Sequence, residues 1–169
     1  SGLADVIRAR DARLVHAHSP ARIGLAGLRA ARATGVPFLY ELRGLWEDTA
    51  VDRGRSRVWS LRYQATRSAE TAVLRGSDAV VTISRGLEQD ARRRGVAASR
   101  LFRVPNGVDS ERFVPRPRDP ALAARLGLGD AFVVGFIGFF FRYEGVDLLV
   151  QAFREVVAAL PRARLLLVG

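Results

Sequence analysis

Short apolar runs alternate with longer amphipathic stretches through the first hundred residues of the chain. The apolar runs have the length of buried strands, and they lie at 13–17, 37–41, 78–83 and 101–104. The stretches with helical periodicity lie at 3–10, 21–34, 58–75 and 84–94. Strands that alternate with helices of this length predict a parallel sheet with right-handed crossovers. We therefore expect an α/β domain built on a parallel sheet.

Proline and charge become dense after residue 108. The composition of residues 109–130 is typical of a linker, and one short helix is predicted within it at 121–126. We therefore predict a partial N-terminal domain over 1–108 and an interdomain linker over 109–130.

The alternation of strand and helix starts again beyond the linker. It predicts a strand at 132–138, a helix at 145–160 and a second strand at 164–169. One strand–helix–strand unit cannot cover both faces of its own sheet. The start of a second α/β domain is therefore predicted over 131–169. Since the chain also begins without Met, we expect it to be a piece of a longer protein.

The chain is strongly basic, with a net charge of +10 from 27 basic residues that are all arginine. One explanation is attraction to a polyanion, such as phosphate groups, nucleic acid or an anionic membrane surface. The other is a compositional preference for arginine at solvated positions, which the scatter of the arginines favours. Aromatic residues do not interleave with them as in an RNA-binding sheet, so we expect no nucleic-acid partner.

Several kinds of chemistry are ruled out or disfavoured by composition. The chain has no cysteine and two histidines, which excludes disulfides and thiolate catalysis and argues against a metal site. No apolar run reaches the roughly 18 residues that a membrane-spanning helix needs, and no signal-peptide pattern opens the chain. We expect a cytoplasmic protein with no metal and no cofactor, in peripheral contact with the anionic inner face of the membrane.

Candidate site residues follow the predicted strands, because open parallel sheets bind ligands at the carboxyl ends of their strands. His16 and His18 point to one side by alternation, and His18 lies at the mouth of the first strand. A histidine there can donate a hydrogen bond to a phosphate or a sugar hydroxyl. The alternative is a hydrogen-bonded structural histidine.

The segment after the second strand is polar and contains glycine, so we interpret residues 43–55 as a long functional loop. Arg43, Trp46 and Glu47 offer a guanidinium, an aromatic face and a carboxylate, which are groups that commonly recognise sugars. The alternative is a solvent-exposed loop with local salt bridges.

A third candidate site follows the strand at 132–138. Gly138, a short loop and a helix N-terminus form a phosphate cradle in principle, and Arg142 can pair with a diphosphate. Glu144 lies at the helix start, where its charge would repel a bound anion. The alternative is an ordinary strand–helix turn.

The fourth feature is the segment Pro105, Asn106 and Gly107, at the end of the fourth strand and before the linker. Its composition and its place predict an interdomain hinge, whose Asn106 and Gly107 also line the floor of a cleft. The alternative is a plain Asn-Gly turn.

Taken in order, these motifs resemble a known family. In the first domain they lie at 16–19, 35–37, 40–44, 46–48, 70–71, 77–84 and 94–96. The interdomain signature lies at 104–109 with Phe113, and the start of a second domain at 135–138, 143–149 and 165–169. This combination, which spans nearly the whole chain, resembles family 4 glycosyltransferases. Residues 46–48 and 143–145 are similar to members associated with bacterial exopolysaccharide assembly.

The resemblance implies the GT-B architecture, with two Rossmann-like domains and an active site in the cleft between them. It also implies transfer of a hexose, with retention and without a metal, from a nucleotide-diphosphate sugar to a glycan or polyprenol-linked acceptor. By the same resemblance, His18 contacts the transferred sugar or the acceptor, and Gly138 and Arg142 approach the donor diphosphate. The segment 43–48 then faces the acceptor.

The sequence departs from the family pattern at two positions. Glu144 stands where many members have lysine, and Phe139 stands where serine is frequent, so a cation and a hydroxyl contact are lost at the donor site. The family's opening glycine-rich loop and its later pair of glutamates are not in this chain, so we expect it to be inactive alone. The alternatives are a nucleotide- or phosphosugar-binding module without catalysis, and a basic membrane- or nucleic-acid-associated protein.

Overall fold

A computed structural model describes residues 2–169, which divide into two compact units with the boundary between Gly107 and Val108. The first unit alternates strands and helices as its sequence predicts. Its strands are β1 (Val15–His18), β2 (Phe38–Leu42), β3 (Ala79–Thr82) and β4 (Leu101–Arg103). Its helices are α1 (Leu3–Ala9), α2 (Ala21–Thr34), α3 (Trp46–Asp52), α4 (Leu61–Gly76) and α5 (Arg85–Arg93).

The four strands form one parallel sheet in the order β1-β2-β3-β4. Each neighbouring pair is parallel, with His18 opposite Glu41 across β1 and β2, and Leu42 opposite Thr82 across β2 and β3. This confirms the predicted parallel α/β sheet. The carboxyl ends of all four strands therefore lie at one edge of the sheet.

The helix boundaries follow from the capping residues that the sequence shows. Ser84 accepts a hydrogen bond from the backbone N–H of Leu87 at the start of α5. Gly35 ends α2 in the left-handed conformation, with φ of 71°, as a C-terminal glycine should. Ser60 caps α4 in the same way as Ser84 caps α5, so α4 begins three residues later than predicted.

The core of the first unit lies between the sheet and the helices α2 and α4. Phe38, Tyr40 and Leu42 of β2 are fully buried, as are Val73 and Leu74 of α4. Burying apolar side chains of this size is the main contribution to the stability of such a sheet.

The interpretation of residues 43–55 as a long loop is wrong. Residues Trp46–Asp52 form the helix α3, and the preceding residue, Leu45, provides no side-chain cap. The helix was not visible in the sequence because its inward-facing residue is charged: Glu47 is fully buried.

The second unit contains α6 (Pro120–Arg125), β5 (Phe132–Ile137), α7 (Val146–Ala159) and β6 (Ala163–Val168). β5 and β6 pair in parallel as a two-stranded sheet, from Phe132 opposite Ala163 to Ile137 opposite Val168. Asp119 caps α6 by accepting from two backbone N–H groups. Across residues 2–169, every helix is too short or too polar to cross a bilayer.

Candidate functional site

The carboxyl ends of β1 and β2 bring two histidines and one carboxylate together. Nε2 of His16 lies 3.2 Å from Oε2 of Glu41, and Nδ1 of His18 lies 3.5 Å from Oε1 of the same carboxylate. The two imidazole rings stack with their centroids 4.6 Å apart. Residues two apart on a strand share a face, and the register places Glu41 opposite His18. We call His16, His18 and Glu41 the His–His–Glu cluster.

The His–His–Glu cluster is open on one side. The side chains of His16 and His18 are 39% and 47% exposed, while that of Glu41 is 16% exposed. The sequence places His18 past the strand, whereas the structure makes it the last residue of β1. The backbone of His18 is therefore fixed by the strand, and its ring is accessible to a ligand at the edge of the sheet. The assignment of His18 as the catalytic residue stays a prediction.

Arg43 lies directly after β2, beside the cluster. Its half-exposed side chain places Nε 3.7 Å from Oε1 of Glu41. The backbone N–H of Arg43 donates to Oγ of Ser19 at 3.1 Å, and the N–H of Ser19 donates to the carbonyl of Glu41 at 2.9 Å. These two bonds join the ends of β1 and β2, so the guanidinium is attached to a rigid part of the backbone.

A second buried carboxylate, Glu70 of α4, supports the start of α2. It accepts a hydrogen bond from the backbone N–H of Ala21 at 2.9 Å and another from the hydroxyl of Tyr40 at 2.5 Å. Burial raises the pKa of Glu70, and the two hydrogen bonds oppose that rise without cancelling it. Burial and the neighbouring Glu70 also raise the pKa of Tyr40, which keeps the phenol protonated as a donor. Glu70 therefore connects α4 to both β2 and α2.

The two predicted acceptor residues of α3 lie in different surroundings. Trp46 is 39% exposed and faces a cleft, whereas Glu47 is fully buried. Oε1 of Glu47 lies 2.5 Å from Nη2 of Arg94 and 3.4 Å from Nη1 of Arg67. The expectation that Glu47 contacts an acceptor therefore has to be corrected. Glu47 has no contact with solvent and is bound to arginine, so its role is to hold the fold together.

A cleft of about 450 Å³ opens beside the start of α2, between α2, α3 and α4. We call it the arginine-rimmed cleft, because four of its lining residues are arginines: Arg22, Arg53, Arg55 and Arg62. Its other walls are mainly apolar or small, and they include Leu25, Trp46, Ala65 and Ala69. Among the described residues that line the cleft, none is acidic. The arrangement suits a ligand that carries both a negative charge and an apolar portion.

The predicted donor residues lie in the second unit, between β5 and α7. Gly138 follows β5, and its N–H donates to the carbonyl of Val168 at 2.9 Å, which continues the pairing with β6. Arg142 and Glu144 are exposed on a short 3₁₀ helix, which ends at Gly145 in the left-handed conformation, with φ of 69°. The strand, loop and helix N-terminus are thus present in the predicted order. Binding of a diphosphate there stays a prediction.

The predicted hinge residues Pro105, Asn106 and Gly107 are exposed and lie outside helices and strands. They come directly after β4, and Gly107 is the last residue of the first unit. Their role as a hinge stays a prediction.

Two groups of candidate site residues could not be predicted from the sequence. Glu41 stood in a recognised motif, but its pairing with both histidines required the register of β1 against β2. The arginines of the cleft come from α2, from α4 and from the turn that follows α3, and their convergence depends on how these elements pack together. The only signal in the sequence was the excess of arginine itself.

The comparison with known proteins agrees with this architecture. The family model described as Glycosyltransferase Family 4 matches residues 1–112. The D-inositol 3-phosphate glycosyltransferase 1 of Catenulispora acidiphila is 35% identical over 152 residues, covering 88% of this chain and 35% of that protein. A GDP-mannose-dependent alpha-mannosyltransferase of Mycobacterium tuberculosis is 28% identical over 168 residues, covering 96% of this chain and 40% of that protein. The chain thus spans well under half the length of these relatives.

Solved structures show the same fold. The structure of Anabaena Alr3699/HepE in complex with UDP and glucose matches with a TM-score of 0.72 at 20% sequence identity. That match covers 97% of this chain and 41% of the HepE chain. It confirms the predicted α/β fold of the GT-B type. Since the family model covers more than half of its 169 residues, the chain belongs to glycosyltransferase family 4.

Proposed function

We propose that the protein containing this chain is a retaining glycosyltransferase. It transfers a hexose from a nucleotide-diphosphate sugar to a glycan or lipid-linked acceptor, in the synthesis of exopolysaccharide or another cell-envelope glycan. The proposal depends on one observation: in a chain that belongs to this family, His18 is accessible at the end of β1. The proposal places the enzyme in the cytoplasm, in peripheral contact with the inner face of the membrane.

The names of similar proteins support a nucleotide-sugar donor. The mycobacterial relative is named a GDP-mannose-dependent alpha-mannosyltransferase, and structures of the similar HepE contain UDP, or UDP-glucose. In our proposal Gly138 permits close approach of the donor diphosphate and the exposed Arg142 pairs with it. Glu144 is exposed at the same turn and selects against a second anionic group there.

His18 contacts the transferred sugar in this proposal. A neutral or protonated imidazole can donate a hydrogen bond to a sugar hydroxyl, and Glu41 orients the ring through its Nδ1. Such orientation by a carboxylate fixes which ring nitrogen faces the ligand. The contribution of His18 is therefore to position the sugar and to stabilise charge that develops during transfer.

The arginine-rimmed cleft supports an acceptor with a phosphate and an apolar chain. Arg22, Arg55 and Arg62 supply positive charge around a floor that includes Leu25 and the ring of Trp46. A polyprenol-linked phosphate carries both a negative charge and an apolar chain, whereas a neutral oligosaccharide would form no ion pair with the arginines. The same arginines would favour an anionic membrane surface, which is where such an acceptor resides.

The experiment that tests the proposal is hexose transfer by the natural gene product that contains residues 1–169. UDP- and GDP-sugars are supplied with an isoprenyl-diphosphate-linked sugar, and the anomeric configuration of the product is read by NMR. We expect transfer with retention, and His18→Ala should lower kcat by about 10- to 100-fold, as loss of one strong hydrogen bond does. Donor binding without transfer would identify a nucleotide-sugar-binding module, and no binding at all would reject the proposal.

A further inference from the structure

We propose that His16, His18 and Glu41 form a binding site for Zn²⁺. Two imidazole nitrogens and a carboxylate are a usual set of protein ligands for an open zinc site. The three ligand atoms, one from each residue, all lie within 4.8 Å of one another. This site departs from our expectation, drawn from the low histidine count, that the chain has no metal site.

The distances in the cluster are close to those of a coordinated ion. Zinc binds imidazole nitrogen and carboxylate oxygen at about 2.0–2.2 Å, so neighbouring ligand atoms of a tetrahedral site are about 3.3 Å apart. Here Nε2 of His16 lies 3.2 Å from Oε2 of Glu41, and Nδ1 of His18 lies 3.5 Å from the other carboxylate oxygen, Oε1. The three ligand atoms are spread over up to 4.8 Å, so side-chain rotation has to bring the most distant pair about 1.5 Å closer to hold one ion.

The backbone holds these residues in place without a metal. His16 and His18 share one face of β1, and the parallel register fixes Glu41 on the adjacent strand. Because the backbone of the three residues is already ordered, binding of an ion loses little conformational entropy. Both histidines are partly exposed, so an ion can enter from solvent and keep a water molecule as its fourth ligand.

Arg43 opposes metal binding. Its Nε lies 3.7 Å from Oε1 of Glu41, so the guanidinium competes with a cation for the same carboxylate. Because the side chain of Arg43 is half exposed, it can turn into solvent when zinc arrives. We therefore expect moderate affinity in the wild type and tighter binding once Arg43 is neutralised.

Zinc at this site would occupy the ring nitrogen of His18 and the carboxylate that orients it. Zinc should therefore inhibit hexose transfer by competing with the sugar. This consequence rests on the proposed function, whereas binding of the ion does not. A failed transfer assay therefore leaves the binding measurement unaffected.

The binding test is calorimetric titration of the untagged 169-residue chain with Zn²⁺. The chain has no cysteine and no histidine besides His16 and His18, so zinc bound through nitrogen or sulfur side chains reports on this site. We expect one ion per chain, with Mg²⁺ giving no heat because it prefers all-oxygen ligands. Replacing Zn²⁺ with Co²⁺ should give the intense visible absorption of a tetrahedral site.

The variants distinguish a coordinated ion from a chance association. His16→Ala and Glu41→Gln should each weaken zinc binding at least about 10-fold, and Arg43→Gln should strengthen it about 2- to 5-fold. Glu155→Gln removes an exposed carboxylate of α7 and should leave zinc binding unchanged. If circular dichroism shows that Glu41→Gln does not fold, His16→Asn at the partly exposed strand position replaces it. Equal zinc affinity in the wild type and the His16 variants, or no zinc binding in the wild type, would overturn the proposal.

Discussion

Glu47 and Arg94 form a buried ion pair that joins α3 to the end of α5. Oε1 of Glu47 lies 2.5 Å from Nη2 of Arg94, and both side chains are at most 1% exposed. Arg94 also pairs through Nε with Asp90, one turn earlier on α5. Burial by itself would lower the pKa of Arg94, but the two carboxylates outweigh it and raise that pKa, so the guanidinium stays charged. The pair fixes α3, and with it the wall of the arginine-rimmed cleft that carries Trp46.

Breaking this pair should be costly. Glu47→Gln keeps the volume but removes the charge that compensates Arg94, and removing one partner of a buried ion pair typically costs about 3–5 kcal/mol. We expect urea unfolding to show a loss of free energy of unfolding of that order. The matched control is Arg92→Gln, which removes an exposed pair with Glu88 and should cost at most about 1 kcal/mol. If Glu47→Gln and Arg92→Gln lost equal free energy of unfolding, the buried ion pair of Glu47 would not be important for stability.

Glu70 should make stability depend on pH. Its pKa is raised above the ordinary value of 4.5, so the folded chain holds the proton to a higher pH than the unfolded chain. Ionisation of Glu70 therefore costs stability as pH rises from about 4.5 through its folded-state pKa. Glu70→Gln keeps acceptors and donors near Tyr40 and Ala21 but does not ionise. We expect the free energy of unfolding of Glu70→Gln, relative to wild type, to improve between pH 4 and pH 7.

The measurement is urea unfolding of both proteins at several pH values in one buffer series. A difference between wild type and Glu70→Gln that stays constant with pH would show that Glu70 has the same affinity for its proton in both states. Glu155→Gln removes an exposed carboxylate of α7, and it serves as the reference for general effects of charge.

Gly24 allows α2 to approach the sheet closely. A Cβ added there would lie 2.6 Å from Cε2 of Tyr40 and 2.7 Å from Cγ1 of Val73, and both of those side chains are fully buried. Gly24→Ala should therefore destabilise the chain by about 1–3 kcal/mol in thermal or urea unfolding, although alanine favours the helix. Gly86 on α5 has open space around it, with only Oγ of Ser84 at 4.0 Å. Gly86→Ala should leave stability unchanged or raise it by at most about 1 kcal/mol, and a loss as large as that of Gly24→Ala would refute the packing argument.

The order and type of the regular elements could be predicted because they follow from local pattern. Apolar runs and capping residues such as Ser84 and Gly35 lie close in sequence to the elements whose ends they define. The helix α3 could not be predicted in this way. Its buried residue is Glu47, and the group that makes its burial tolerable is Arg94, 47 residues later in the chain.

The residues of the candidate site likewise fall into those that local sequence predicts and those that depend on tertiary contacts. His18 and Arg43 could be named from the sequence, because the ends of parallel strands meet at one edge of the sheet. The pairing of Glu41 with both histidines depends on strand register, and the grouping of Arg22, Arg55 and Arg62 depends on helix packing. Contacts of this kind join residues that are distant in sequence, and no local pattern specifies them.

The affinity of the arginine-rimmed cleft for a lipid phosphate should fall when arginines are removed from its rim. Arg55→Gln and Arg62→Gln each remove one cation from the rim, and one arginine near an anionic membrane group contributes about 1 kcal/mol. We expect each variant to bind neutral vesicles doped with an isoprenyl phosphate about fivefold more weakly, measured by co-sedimentation at fixed salt. The wild type should lose binding as salt rises, because exposed charges are screened.

A matched pair of arginines on one helix separates a local effect from net charge. Arg22 lines the cleft at the start of α2, whereas Arg29 lies two turns further along the same helix and is exposed outside it. Arg22→Gln and Arg29→Gln change the net charge equally, so only a site in the cleft predicts that Arg22→Gln binds more weakly. Equal loss of binding in both variants would mean that the excess of arginine acts as a diffuse surface charge. Vesicles that contain phosphatidylglycerol instead of the isoprenyl phosphate test whether the cleft distinguishes the acceptor from an ordinary anionic lipid.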